Sequence, residues 1–335
     1  MENKYGFNFL WMFAKFEKDT KPTAPNLREL DFIAEKGFNF VRVPTDYKFW
    51  TKDFDYLNPD EKIFETFIDV YLDECTKRGL HMSLNIHRAP GYCVNRNDLE
   101  KHSLWTDKEA LDGFIFLWEH FAKRYKGISN DLISFDLVNE PPHIGRHGCT
   151  RDAHEKVIRE TIAAIRKIDP TREIVINGLA CGHTALPELA DAEVIHSGRG
   201  YQPFQVSHHK AQWIDDWENM EPPVYPGILD GMNWDRTALA ESYKEWREVE
   251  AEGVKIHIGE FGCFNKTPND MALRWLSDLM GCWKDFGWGY AMWNFKGPFG
   301  ICDHGRPDAR FEKLNGFNID VELLDLMLNN RRRKK

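Results

Sequence analysis

The sequence predicts a single (β/α)8 TIM barrel, and three observations support this fold class. Short apolar runs alternate with longer amphipathic runs of helical spacing along the whole chain. Eight of the short runs occur, and eight parallel strands are the number that closes such a barrel. The first run ends at Leu10-Trp11-Met12, without the glycine-rich phosphate turn that follows the first strand of an open, doubly wound sheet.

The predicted strands and helices follow one another in β-then-α order. Strands are expected at residues 5–11, 38–44, 80–87, 132–140, 172–178, 193–201, 255–262 and 289–295. Helices are expected at residues 26–37, 62–79, 110–125, 153–169, 238–253 and 270–287. Several of the helical runs close on a glycine, the residue favoured just past a helix end. The order requires parallel strands joined by right-handed crossovers.

Two stretches depart from this regular order. Only a short helix fits within residues 179–192, between the fifth and sixth strands. The longest loop, at residues 202–236, follows the sixth strand and contains Trp213 among other aromatic residues. A loop of this length in a compact domain is typically functional. The chain is therefore expected to form one catalytic domain over residues 1–330, followed by a basic tail at 331–335.

Composition and charge exclude several classes of function. The net charge is −9 and no basic stripe is present, so a nucleic-acid partner is not expected. No apolar run approaches the ~18 residues of a membrane span, so no membrane association is expected. The seven cysteines are odd in number and form no CxxC pair, and the N-terminus lacks the pattern of a secretion signal. These features predict reduced thiols and a cytoplasmic location.

Polar and aromatic residues collect where the predicted strands end. Glu140 and Glu260 each close an apolar run, a position where burial of an ionised carboxylate is costly. In a parallel barrel the chemistry lies at the carboxyl ends of the strands, so we expect these two groups to face each other at one rim. The other residues at predicted strand ends are Trp11, Arg42, His87, Arg88, Asn139, Arg199, Tyr201 and Trp293.

Five short motifs at these positions resemble those of glycoside hydrolase family 5, a family of retaining barrel glycosidases. The motifs are VRVP at 41–44, HRAPGY at 87–92, NEP at 139–141, GEFG at 259–262 and MWNF at 292–295. They occur in the order found in that family, and the resemblance covers nearly the whole chain. It implies that Glu140 is the general acid/base and that Glu260 is the nucleophile.

The resemblance also implies roles for the neighbouring residues. Arg42 and Tyr201 would donate hydrogen bonds to Glu260, and Asn139 would contact the sugar 2-hydroxyl. His87 would bind a sugar hydroxyl, and Trp293 would form the floor of the subsite where the bond breaks. The 12 tryptophans indicate a cleft lined with flat apolar faces, so Trp11 and Trp213 are further candidates for substrate contact.

Two arginines depart from the family pattern. Arg88 stands where the family usually has a second histidine, and Arg199 where it usually has a histidine close to the acid/base. Because an arginine near Glu140 would lower the pKa of that acid, Arg199 is expected to point elsewhere or to contact substrate. One hypothesis is that both arginines reshape the glycone side of the site. The alternative is that both are salt-bridged supports.

The predicted activity is hydrolysis of short β-1,4-linked oligosaccharides, without a cofactor or metal ion. The expected cytoplasmic location favours an exo-acting β-mannosidase on small β-mannosides. The runner-up is an endo-β-1,4-glucanase or β-mannanase. A metal-dependent barrel hydrolase and a non-catalytic sugar-binding barrel are more remote alternatives, because no histidine cluster has clear metal spacing and both glutamates are present. The sequence does not indicate the oligomeric state.

Overall fold

The computed structural model describes residues 3–13 and 21–332, with Asp53 described by its backbone alone. The last residues of the predicted basic tail, 333–335, lie outside the described residues. The described strands are β1 (Tyr5–Asn8), β2 (Phe40–Asp46), β3 (His81–Arg88), β4 (Ile133–Asp136), β5 (Ile174–Asn177), β6 (Ile195–Gly200), β7 (Gly227–Leu229), β8 (Met232–Trp234), β9 (Lys255–Phe261), β10 (Gly289–Met292), β11 (Phe311–Leu314) and β12 (Phe317–Asp320).

The barrel strands have the order β1-β10-β9-β6-β5-β4-β3-β2 and close on themselves. This confirms the predicted fold class, a (β/α)8 barrel. Within the described residues, each predicted strand overlaps one strand of this closed barrel. The antiparallel hairpins β7–β8 and β11–β12 lie outside the barrel and were not predicted, because their runs are short and only partly apolar.

The predicted strand ends differ from those in the structure. β4 ends at Asp136 rather than Glu140, and β1 ends at Asn8 rather than Trp11. Past β4, Glu140 has φ +46°, which a strand cannot accommodate, and Pro141 and Pro142 have no N–H to donate to a ladder. Glu140 therefore lies in a bend just past the strand rather than at its tip.

The helices cover most of the predicted amphipathic runs. One example is the helix Asn269–Phe286, which ends at Gly287, whose φ of +87° and N–H bond to the Trp283 carbonyl form the expected stop. A π-helical turn, Phe64–Ile68, links two of the helices. The α-helices are Leu27–Glu35, Glu61–Ile63, Asp69–Thr76, Lys108–Arg124, Arg151–Ile168, Leu179–Gly182, Phe204–Ser207, Arg236–Glu241, Lys244–Ala251, Asn269–Phe286 and Val321–Asn329.

The chain divides into two compact units, which we call the Glu140 unit and the Glu260 unit. The Glu140 unit comprises residues 9–198 and 249–256. In it β2 pairs with β3, β3 with β4, β4 with β5, and β5 with the first residues of β6, all in parallel. Its helix Lys108–Arg124 packs on the strands through Trp118, whose ring lies 5.1 Å from that of Phe135.

The Glu260 unit comprises residues 1–8, 199–248 and 257–335. In it β1 pairs with β10 and β10 with β9, and Asn8 donates from its side chain to the Gly259 carbonyl at 2.9 Å. Trp283 and Tyr290 are buried against Phe261 of β9. The assignment of residues 1–330 to one catalytic domain stays a prediction.

Two further findings concern the described part of the chain. It contains no helix that combines the length and the apolar character needed to cross a membrane. No disulfide bond joins any of its cysteines, and most of these thiols are buried.

Candidate active site

In the Glu140 unit, the segment that follows β4 is held by its backbone. The Asn139 N–H donates to the Ile86 carbonyl at 3.2 Å, and the Glu140 N–H donates to the Asn177 side chain at 3.3 Å. The Tyr92 hydroxyl donates to the Glu140 carbonyl at 2.5 Å. These contacts fix a glutamate in the left-handed region, where a residue with a Cβ is strained. The Glu140 side chain is half-buried.

A buried ion pair lies behind this segment. Arg42 lies within β2 rather than at its end, and its Nε donates to the Asp136 carboxylate at 2.6 Å. Its Nη2 donates to Oδ1 of Asn139 at 2.8 Å. The second oxygen of Asp136 accepts from Asn177 at 2.7 Å. Both charged partners are 1% exposed, so their cost of burial is offset only because these hydrogen bonds are made together.

His87 continues the same network from β3. Its Nδ1 lies 3.2 Å from Oδ1 of Asn85, and its Nε2 lies 3.2 Å from the Asn139 amide. Because Arg42 occupies the oxygen of Asn139, the Asn139 NH2 group faces His87, and Nε2 must then accept. This arrangement is satisfied by the neutral imidazole with its proton on Nδ1. The structure thus brings together Arg42, His87 and Asn139, three of the residues singled out in the sequence.

In the Glu260 unit, the nucleophile candidate is held through its side chain. Glu260 lies within β9 and is 3% exposed. The Tyr201 hydroxyl, just past β6, donates to Oε2 at 3.2 Å, so the expected contact between these two residues is present. Arg199 Nη2 lies 3.3 Å from Oε1 and is fully buried. A carboxylate with a donor on each oxygen is held in a fixed orientation, which helps a nucleophile.

An aromatic cluster lies beside Tyr201 in the same unit. Tyr201 packs with Ala211, Phe264 and Phe299, and Trp293 lies against this cluster. The close approach of the Trp293 backbone to residue 262 requires a glycine there, since a Cβ on Gly262 would lie 2.8 Å from the Trp293 carbonyl oxygen. Trp293 follows directly after β10 and is half-buried, which leaves part of its ring accessible.

Trp213, from the long loop after β6, contacts the same aromatic cluster. Its ring lies 5.2 Å from that of Phe264 and 6.0 Å from that of Phe299. Because 46% of Trp213 is exposed, it presents an aromatic face of the kind that stacks on sugar rings. The structure therefore groups two of the predicted tryptophans, Trp213 and Trp293, around Tyr201.

The remaining predicted residues, Trp11 and Arg88, are buried and contact other side chains of this chain. Trp11 is 7% exposed, with its ring 4.7 Å from Phe9 and 4.9 Å from Tyr71. Arg88 is 1% exposed and donates to the carboxylates of Asp46 and Glu100, each at 3.0 Å. It also donates to the backbone carbonyls of residues 95 and 96. These contacts favour the salt-bridged support over a role for Arg88 in the glycone pocket.

Sequence reasoning did not single out several residues that build the two groups. Asp136 and Asn177 carry signals that could have found them, because each is a polar residue at the end of an apolar strand. Tyr92 lies inside the HRAPGY motif, but its partner is a backbone oxygen that no pattern reveals. The pairing of Arg199 with Glu260 was also not predicted.

A metal-dependent hydrolase would need a cluster of metal-ligating side chains. Across the residues that the structure describes, no group of three or more His, Cys, Asp or Glu side chains is arranged to hold a metal ion. His208 packs on Tyr201 and contacts the Ser207 hydroxyl at 2.8 Å instead.

The chain is thus a closed parallel barrel with one glutamate on β9 and another just past β4. The family model for cellulase (glycosyl hydrolase family 5) matches residues 3–297. The chain belongs to glycosyl hydrolase family 5, and it is a glycosyl hydrolase.

Curated relatives and solved structures agree with this assignment. Endoglucanase C of Acetivibrio thermocellus is 28% identical over 321 residues, which are 88% of this chain and 91% of the relative. Cellodextrinase A of Ruminococcus flavefaciens is 27% identical over 72% of this chain and 70% of its own length. A crystal structure described as a glycoside hydrolase has 57% identity and a TM-score of 0.95, covering 98% of this chain and 100% of that one.

Proposed function

We propose that this chain is a retaining, endo-acting β-1,4-glucanase that cleaves glucan chains or the oligosaccharides derived from them. The observation that carries the proposal is the Glu260 carboxylate, buried on β9 with Arg199 on one oxygen and Tyr201 on the other. The substrate class rests on the relatives, whose names are endoglucanase and cellodextrinase. These relatives favour the alternative from the sequence over the expected exo-acting β-mannosidase.

The proposed reaction has two steps. In the first, Glu260 attacks the anomeric carbon, the bond to the leaving oxygen breaks, and Glu140 gives that oxygen its proton. In the second, Glu140 takes a proton from a water molecule that attacks the anomeric carbon, and the Glu260 carboxylate leaves. The carboxyl ends of the strands of a closed parallel barrel lie at one rim, which supports the joint action of the two groups.

The other residues would bind and orient the sugar. Asn139, held by Arg42 and His87, would present its amide to the sugar 2-hydroxyl, a contact that strengthens in the transition state. Trp293 and Trp213 would provide aromatic faces for sugar rings. A direct bond from Arg42 to Glu260 and a bond from His87 to a sugar hydroxyl remain predictions. The expected oligosaccharide substrate, and a reducing, cytoplasmic location, also remain predictions.

The test is product analysis over time on cellotetraose, a soluble β-1,4-glucan and β-1,4-mannobiose. We expect internal cuts in cellotetraose and a rapid fall in the viscosity of the glucan. Proton NMR of the first products should show the β anomer, as double displacement requires. Release of single mannose units alone would overturn the glucanase proposal and restore the exo-mannosidase. The Glu260→Gln protein, purified in the same way, controls for contaminating enzymes.

A further inference from the structure

The backbone of Glu140 has a conformation that its surroundings must impose. Its φ of +46° lies in the left-handed region, which is strained for a residue other than glycine. The next two residues, Pro141 and Pro142, offer only carbonyls, which accept from the N–H groups of Cys181 and Ala180 at 2.9 and 3.3 Å. The aim of the Glu140 carboxyl therefore depends on groups that hold its main chain.

Tyr92 supplies the shortest of these backbone contacts. Its hydroxyl donates to the Glu140 carbonyl at 2.5 Å, and the side chain is 1% exposed. Its ring packs at 5.2 Å from that of Trp105, which fixes the direction of the hydroxyl. Burial raises the pKa of Tyr92 well above its usual value, so the group stays a donor at every pH at which the enzyme would work.

The loop after β3 holds Tyr92 in place. The backbones of Ala89 and Tyr92 exchange hydrogen bonds at 2.8 and 3.1 Å. Between them Gly91 passes so close to Leu104 that a Cβ would lie 2.6 Å from its backbone nitrogen. The Gly91 N–H also donates to Glu100, at 3.3 Å. The loop therefore has little room to shift without disturbing its neighbours.

Arg88 and Glu100 tie this loop to β2 through a buried charge network. Glu100 accepts from Arg88 at 3.0 Å, from Lys48 at 3.2 Å and from the Tyr47 hydroxyl at 2.9 Å. Arg88 also donates to Asp46, the last residue of β2, at 3.0 Å. Burial raises the pKa of Asp46 to about 6, although the Arg88 charge lowers it. Loss of either carboxylate would leave a buried guanidinium underpaired.

From these contacts we infer that Tyr92 is a positioning residue for Glu140, and that the Arg88–Glu100 pair holds the loop that carries it. The inference rests on the proposed function, because it assigns a task to Tyr92 through the acid/base role of Glu140. It also gives Arg88 a role in catalysis without substrate contact. A misplaced acid impairs most those substrates whose leaving oxygen needs a proton.

The test is the Tyr92→Phe variant, which removes one hydroxyl and keeps the ring. kcat/KM would be measured on cellotetraose, phenyl β-cellobioside and dinitrophenyl β-cellobioside, since kcat/KM reports the steps up to cleavage of the glycosidic bond. We expect a loss of about tenfold on cellotetraose and less than about twofold on the dinitrophenyl substrate, because its leaving group needs little protonation. A role in stability alone would lower all three values by the same factor.

The matched control is Tyr290→Phe, since Tyr290 is also buried and donates to a backbone carbonyl, that of Met327, at 2.9 Å. Any change in kcat/KM of Tyr290→Phe should be the same on all three substrates. If Tyr92→Phe does not fold, Glu100→Gln, which weakens the contacts that hold the loop, is tested instead. Its losses in kcat/KM should follow the same order over the three substrates and should differ less from one another.

Glu140→Ala separates the two proposals. If it shows no leaving-group dependence, the acid/base assignment of Glu140 fails, and with it the proposed function. If the loss in Glu140→Ala depends strongly on the leaving group, while Tyr92→Phe and Glu100→Gln lose the same factor on every substrate or nothing, the positioning role of Tyr92 is overturned. The proposed function then stands.

Discussion

Glu140 lies four residues past the end of β4, with its backbone held by Tyr92 and Asn177. Glu260 lies within β9, with its carboxylate held by Arg199 and Tyr201. One glutamate is thus fixed through its main chain and is half-buried, whereas the other is fixed through its side chain and is almost fully buried. The two units of the chain therefore hold a glutamate by different kinds of contact.

The difference matches what the two roles demand. A nucleophile must be ionised and aimed before the substrate arrives, so charged and neutral donors on its oxygens are useful. A group that gives a proton in one step and takes one in the next must change its protonation state during turnover. Backbone contacts fix the position of such a group without fixing its charge. The comparison predicts that variants around each glutamate will fail in recognisably different ways.

The largest effect is expected for Glu260→Gln. The amide cannot form the glycosyl ester, so turnover on every substrate should fall by at least about a thousandfold, whatever the leaving group. Thermal unfolding would establish that the variant is folded. The exposed Glu252→Gln serves as the matched control and should keep full activity. Activity above a few per cent of wild type in Glu260→Gln would remove the nucleophile assignment.

The next effect is expected for Glu140→Ala, and its size should depend on the substrate. On cellotetraose kcat/KM should fall by about 100-fold or more, because general acid catalysis is lost. On dinitrophenyl β-cellobioside the fall in kcat/KM should be less than about tenfold, since that leaving group departs without a proton. Equal losses on both substrates would contradict the difference drawn between the two glutamates.

A smaller and uniform effect is expected for Arg199→Met. The change removes the guanidinium that pairs with Oε1 of Glu260, while the Tyr201 contact to Oε2 can remain. We expect kcat/KM to fall by about 10- to 100-fold with the same factor on poor and good leaving groups. Arg199→Lys should recover part of the loss. A strong leaving-group dependence for Arg199→Met would place that residue with Glu140 instead.

Much of this arrangement could be predicted from the sequence because strand periodicity and strand ends are local signals. The order of apolar runs predicted the barrel, and the polar residues near their ends pointed to Arg42, His87 and Asn139, although not to the contacts among them. The contact between Tyr201 and Glu260 followed from the family motif. Each of these depends on residues whose type and position in the strand already limit where the side chain can go.

Other features depend on geometry that no local pattern carries. The sequence shows that Arg199 ends a strand, but not which carboxylate its long side chain reaches. The bend at Glu140, with its positive φ, is held by contacts with Tyr92 and Asn177, which are distant from it in sequence. The expectation of a mannosidase was based on the expected cellular location and not on any contact to a sugar. The endoglucanase and cellodextrinase relatives therefore outweigh it.

We expect His154, in the helix that follows the Glu140 segment, to limit the pH range in which the two glutamates can be compared. Its ring is fully buried beside Trp105, at 5.7 Å, and among the described residues neither ring nitrogen has a hydrogen-bond partner. Burial, together with the smaller effects of the charges of Arg151 and His196, lowers the pKa of His154 to about 3. The folded state thus holds this imidazole neutral.

Because this folded pKa lies below the unfolded value of about 6.5, the unfolded chain binds the proton first. The contribution to stability is complete above the unfolded pKa and is lost as the pH falls from there towards 3. Between about pH 7.5 and about pH 5 this one group should lower the free energy of unfolding by about 2 kcal/mol. Urea unfolding at both pH values measures this change in the free energy of unfolding. In His154→Phe the change should be smaller than in wild type by about 2 kcal/mol, whereas in the exposed control His143→Phe it should match wild type. An unchanged pH dependence in His154→Phe would mean that other groups set the acid limit, and rate profiles for the Glu140 and Glu260 variants could then be extended to lower pH.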